Sequence, residues 1–262
     1  MHATWILQKS IWGLNFLGSA LVIWRLYSLG LHRTYRYFFA SMILSVARTA
    51  VLFPFSPSDK RYYPIWASTE PLIWLSYILV VYELYYLVLR EYKGIYSLGR
   101  WFFFSAVALA VIVAAVTVLP TLQTAATVSK RPMLLYYYAF IERGVVTSLG
   151  IFLLLLLVLV AWFPVPLSRN LRTHCLVYSA YFFASNVIVL YWHTSSRSAV
   201  YVSNVSRLSV GVICLLCWVF FLTRRGEDRT TSLGLGRNPL EEKRLLGQLK
   251  SLNATLLRTA RK

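Results

Sequence analysis

The chain has 262 residues, of which 58% are hydrophobic, 16% aromatic and only 14% charged. Soluble domains carry roughly a quarter of charged residues, so the composition excludes a disordered chain, argues against a soluble one and leaves no room for a separate soluble domain. The net charge of +18, from 27 basic and 9 acidic side chains, reads as basic residues flanking membrane helices against anionic lipid, and not as a nucleic-acid surface.

A bilayer core about 30 Å thick needs about 20 apolar residues per helix. Seven segments meet that need: 11–31, 34–55, 64–90, 101–120, 133–163, 171–193 and 203–223. The expected fold is all-α, a polytopic membrane protein with a bundle of seven transmembrane helices over 1–225. A basic cytoplasmic tail, 226–262, follows and ends in a short amphipathic helix. Breakers separate the segments, at Pro54 and Pro57, Gly94 and Gly99, Pro120, Pro132, Pro164 and Pro166. Trp and Tyr gather at the segment ends, as the interfacial aromatic belts of membrane helices do.

The first segment reads as a retained helix. Its n-region has one Lys, its apolar run holds Trp12 and Trp24, and no small-residue cleavage site stands out. The second carries Ser41, Ser45 and Arg48 along one face. The third carries Trp66, Glu70 and Tyr77 on one face. Glu83 lies nearly opposite them, among Tyr82, Tyr85 and Tyr86 and seven residues before Arg90. Tyrosine hydroxyls and a snorkelling Arg90 are expected to hold that carboxylate; a proton relay is the sharper alternative. The fourth has Ala106, Ala110 and Ala114 at the spacing of a close helix contact. The fifth carries Tyr138, Glu142 and Arg143, and its length implies tilt or projection beyond the membrane. The sixth has Ser179, Asn186 and His193 spaced by seven, and the seventh has Asn204 and Arg207. Cys175, Cys214 and Cys217 lie in or beside apolar helices and read as small buried hydrophobes.

Basic residues set the orientation. Arg25, Arg33, Arg36, Arg90, Lys93, Arg100, Arg169 and Arg172 fall on one side, and the tail from Arg224 adds ten more. Six fall on the other: Lys9, Lys60, Arg61, Lys130, Arg131 and Arg197. The positive-inside rule then puts the N-terminus outside and the C-terminus in the cytoplasm, in a multi-pass protein of the inner (plasma) membrane.

A charge at bilayer depth needs a partner or water. Arg48, Glu70, Glu142 and Asn186 lie six to nine residues from the outer end of their segments, about 9–14 Å deep, and Arg207 lies in the same outer half. The expected candidate site is therefore a polar cavity open to the outside, ringed by Tyr and Trp. Its candidate ligand-binding residues are Arg48, Glu70, Tyr77, Glu142, Arg143, Asn186, His193 and Arg207. Three arginines against two glutamates give it one excess positive charge, suited to a lipid or small amphipathic ligand with one anionic group. The plainer alternative is that Arg48–Glu70 and Arg207–Glu142 are ion pairs that fix helix packing.

In the tail, Asn238 and Pro239 suit a helix start, with Glu241 and Glu242 near its positive end. Leu245, Leu249, Leu252 and Leu256 form a stripe amid Lys243, Arg244, Lys250, Arg258, Arg261 and Lys262. Such a helix lies on anionic lipid or docks on a cytoplasmic partner.

No metal-protease, nucleotide-loop or hydrolase motif is present, and the four histidines are scattered, so neither a metal nor a cofactor is expected. The layout resembles that of rhodopsins and seven-helix receptors, although 203–223 has no lysine for a retinal Schiff base. The stretch Thr69–Trp101, with TEPLIW, YELYYLVLREY and LGRW, and the ending LNATLLRTARK resemble uncharacterised bacterial seven-helix membrane proteins. That resemblance implies the fold and no activity. Glu70 is also similar in setting to the intramembrane acids of seven-helix terpene cyclases, but the seventh segment supplies no second acid. The readings are a receptor-like or ligand-binding protein, a membrane enzyme or carrier using Glu70 on an apolar substrate, and a structural subunit of a membrane complex.

Overall fold

The computed structural model describes residues 2–55, 59–97, 99–101, 103–105, 108, 112, 133–162, 167–193, 197–228, 230–231, 244 and 247–255. Among them the chain is mostly helical. The helices are α1 (His2–Ser28), α2 (Arg36–Leu52), α3 (Tyr62–Leu89), α4 (Met133–Trp162), α5 (Arg169–His193), α6 (Arg197–Phe221) and the single-turn α7 (Arg225–Asp228). A 3-10 turn covers Leu31–Arg33, and two-residue strands β1 (Leu167–Ser168) and β2 (Thr230–Thr231) pair antiparallel. Helical backbone also occurs at 93–97, 99–101, 103–105 and 247–255.

By length and composition, α3, residues Ile141–Trp162 of α4 and residues Val202–Phe221 of α6 are long and apolar enough to cross a membrane. They correspond to the third, fifth and seventh predicted segments. Most of the fourth, 101–120, lies outside the described residues, and so do Ala106, Ala110 and Ala114.

Among the described residues, α1 to α6 form a ring in chain order, each packed on the next, with α6 closing back onto α1. The outward faces are greasy: Leu14, Leu17 and Leu21 on α1, Leu155 and Val158 on α4, and Ile213 and Phe220 on α6 are exposed. Facing water, such a band would cost free energy; facing hydrocarbon it does not. The inward side chains, including Phe38, Leu84, Leu149, Leu153 and Phe182, form one continuous core. Phe103 joins it from the 103–105 run, with its ring 4.5 Å from that of Phe152 and 6.1 Å from that of Tyr82.

The ends of the helices explain how the ring is held. After α1, Gly30 takes φ 73°, a left-handed turn that a side chain disfavours, and its N–H donates to Tyr27 O at 3.1 Å. Arg25 donates through Nε and Nη2 to Leu222 O, at 3.0 and 2.8 Å, so a cation from α1 caps the negative end of α6. The N-cap position of α2, Tyr35, makes no side-chain capping bond. Glu83 of α3 performs that role: Oε1 accepts from Tyr37 N and Oε2 from Phe38 N, both at 3.0 Å. The expectation of a tyrosine-held Glu83 is thus corrected. The carboxylate is spent on the orphan amides and positive dipole of a neighbouring helix.

The packing continues past Arg225. Asn170, fully buried, donates to Thr223 O at 2.7 Å and to Glu227 Oε1 at 3.0 Å, and its Oδ1 accepts from Thr223 N at 3.2 Å. Tyr35 donates to the same Glu227 oxygen at 2.7 Å. Further along, Asn253 Oδ1 accepts from Gly94 N at 2.7 Å, and Leu249 is buried in the core while Leu252 is exposed. Of the expected leucine stripe, Leu249 is turned into the bundle and Leu252 is exposed, while Leu245 and Leu256 lie outside the described residues.

Candidate functional site

The centre of the ring holds a cavity of about 370 Å³. On α3 it is lined by Tyr62, Trp66, Glu70, Ile73 and Tyr77. Their spacings of four, four, three and four put all five on one helical face. From α2 come Ser45, Arg48 and Thr49; from α1, Trp12, Asn15 and Ser19; from α6, Asn204, Arg207, Gly211, Cys214 and Trp218. Glu142 enters from α4, and Tyr178 and Tyr181 from α5. From Asn204 to Trp218 the cavity follows α6 over about 21 Å at 1.5 Å per residue, deeper than the single level expected from sequence.

Two ion pairs stand on its wall. Arg48 Nη2 donates to Glu70 Oε2, and Arg207 Nη2 donates to Glu142 Oε1. The four side chains are between 8% and 31% exposed, so they keep some access to the cavity. The two pairs share the wall of one cavity and draw their charges from four helices. Breaking one partner of such a pair typically costs about 3–5 kcal/mol, because the other charge is left unmatched. Arg48 keeps a buried Nε with no hydrogen-bond partner.

Pro71, directly after Glu70, lies inside α3. A proline lacks the N–H that would bond the carbonyl four residues back, here Ala67. Tyr138 of α4 supplies the missing donor, with its hydroxyl 2.9 Å from Ala67 O. The same ring packs on Trp66 and Trp74, each at 5.4 Å. Across the cavity the hydroxyls of Tyr77 and Tyr181 lie 3.1 Å apart. Trp12 stacks on Tyr62 at 6.3 Å, and Lys9 sits 5.1 Å over the ring of Phe53, the C-cap of α2.

Of the residues expected at the site, Arg48, Glu70, Tyr77, Glu142 and Arg207 line one cavity. Arg143 does not. It follows Glu142 by one residue, a rotation of about 100°, and it is half-buried away from the lining set. Among the described residues the expected excess positive charge disappears with it: two arginines face two glutamates. Asn186 is also not a lining residue. Its Oδ1 accepts from Thr147 Oγ1 at 2.5 Å and its Nδ2 donates to Phe182 O at 2.9 Å, which ties α5 to α4. Spacing by seven marked the polar stripe of α5, but its member Asn186 faces α4, while Tyr178 and Tyr181 face the cavity. The side chain of His193 lies outside the described residues.

Sequence reasoning overlooked α1. Trp12, Asn15 and Ser19 were legible as a stripe at three- and four-residue spacing, and Asn15 donates to Ile11 O at 3.0 Å and Leu208 O at 3.1 Å. Below the cavity, His174 is fully buried between Tyr35 and Phe38, at 4.4 and 4.5 Å, and neither ring nitrogen has a hydrogen-bond partner.

The composition, the greasy perimeter and, among the described residues, three helices of membrane-crossing length are the features of a helical membrane protein. Comparison of the chain with protein families, curated proteins and solved structures finds no match.

Proposed function

We propose that this chain is a receptor-like, seven-span membrane protein, N-terminus outside, that holds a small ligand in its central cavity. The observation that carries the reading is the convergence of Arg48–Glu70 and Arg207–Glu142, from four helices, on the wall of one cavity. Pockets of about 300–1,000 Å³ with apolar walls and a few placed polar groups are the usual form of a small-molecule site. Here the walls are Trp12, Tyr62, Trp66 and Tyr77, and the placed groups are the two pairs. Below them, Trp218 packs on Phe38 and Tyr178, with rings 4.9 Å away in each case, and Tyr35 reaches Glu227 just after α6. A ligand that shifts these rings has a packed route to the face where α6 ends.

The test is solvent access from one side. In a chain whose three native cysteines are replaced by alanine, Ser45→Cys is exposed to a small membrane-impermeant thiol reagent in oriented vesicles. Labelling from the side of the N-terminus supports the reading, and absence of labelling from either side overturns it. Impermeant labelling of tags at the two termini checks the orientation in the same vesicles.

A further inference from the structure

The charge balance of the cavity narrows what it takes up. We infer that its ligand is a zwitterion, a molecule with one anionic and one cationic group and no net charge; the inference rests on the cavity reading above. Among the described residues, the lining charges are Arg48 and Arg207 against Glu70 and Glu142, which cancel. A net-charged ligand would bring an unmatched charge into a partly buried site, and such a charge is strongly disfavoured. A zwitterion keeps the sum at zero, and both its ends find partners. Each guanidinium holds its carboxylate through one Nη2 contact, and Arg48 Nε remains a buried donor with nothing to bond. A carboxylate or phosphate of the ligand meets Arg48 or Arg207 on the cavity wall, and its ammonium group meets Glu70 or Glu142. The aromatic rings of Trp12, Trp66 and Tyr62 accept an apolar body and also attract a cation over their faces. The zwitterion has two sources, a free solute or the head of a membrane lipid, and the chemistry of recognition is shared.

The experiment uses the full chain in detergent and reads the fluorescence of its tryptophans, three of which, Trp12, Trp66 and Trp218, line the cavity. Leucine is titrated beside its two half-charged analogues, 4-methylpentanoate without the ammonium and 3-methylbutylamine without the carboxylate. A second arm uses dihexanoyl phosphatidylcholine below its micellar concentration, beside dihexanoyl phosphatidic acid. The expected result is half-saturation at a concentration at least tenfold lower for the zwitterion than for its charged analogues in one arm. The arm that shows it identifies solute or lipid. Equal or tighter binding of the anion or the amine overturns the zwitterion while leaving a labelled Ser45→Cys cavity intact. Silence from every probe overturns it too. The comparison is made on the unsubstituted protein, so it does not depend on whether Arg48→Gln folds.

Discussion

The hydroxyl of Tyr138 donates, at 2.9 Å, to the carbonyl of Ala67, the group that Pro71 leaves without its helical partner. A defect in α3 is thus repaired from α4, beside Glu70. The repair is testable by a double-mutant cycle. Tyr138→Phe leaves a buried carbonyl unpaired and is expected to cost about 1–2 kcal/mol. In a Pro71→Ala background the residue at 71 supplies its own N–H, and Tyr138→Phe becomes nearly neutral. Unfolding in mixed detergent micelles measures both. Equal costs in the two backgrounds would sink the account.

The ion pairs give the second prediction. Arg48→Ala or Glu70→Ala alone leaves one charge unmatched and lowers stability by about 3–5 kcal/mol. Removing both restores part of that loss. The same pattern holds for Arg207 and Glu142. Because the two pairs share one cavity wall, neutralising one is expected to change the cost of breaking the other by about 0.5–3 kcal/mol. Strict additivity across the four positions argues for two separate pairs instead of a cluster.

Glu83 caps a helix to which it does not belong. Glu83→Ala strips Tyr37 N and Phe38 N of their acceptor and is expected to cost about 2–3 kcal/mol. Glu83→Gln keeps one acceptor oxygen and costs less. Amide hydrogen exchange reads the effect locally: protection falls at Tyr37 and Phe38 and spreads into the first turn of α2. Loss confined to α3 contradicts the capping role.

A methyl group at position 226 would collide with the side-chain amide of Asn170. That amide is tied to Thr223 and Glu227, so it has no freedom to move aside. Gly226→Ala is expected to cost about 1–3 kcal/mol and to open 223–231 to protease. In an Asn170→Ala background the collision is gone, and the added cost of Gly226→Ala shrinks to a few tenths of a kcal/mol. An unchanged cost there would place the strain elsewhere.

Asn253→Ala tests the docking of the 247–255 helix. Gly94 N and Ile95 N lose their common acceptor, which stands 2.7 and 3.4 Å away. Their hydrogen exchange should quicken at least tenfold, and trypsin should cut sooner at the exposed Lys250. Leu249→Ala, which removes the buried anchor, should do the same by an independent route.

Much of this molecule is set by local pattern. Apolar runs and their breakers placed α2, α3, α4 and α5 to within about three residues, because a helix's length and its greasy face are properties of consecutive residues. The same periodicity put Trp66, Glu70 and Tyr77 on one face of α3 and matched Arg48 with Glu70, and Arg207 with Glu142, by depth. The tertiary structure decided everything that depends on which way a face turns. Arg143 and Asn186 are as polar as their neighbours and at similar depth, yet rotation about the helix axis takes one off the lining and points the other at Thr147. Glu83 looked like a partner for tyrosines in its own helix, but its partners are amides 45 and 46 residues earlier, which no spacing rule connects to it. Helical periodicity fixes angles within a helix and leaves the angle between helices free. Only the closing of α6 onto α1 supplies that angle, and with it the cavity.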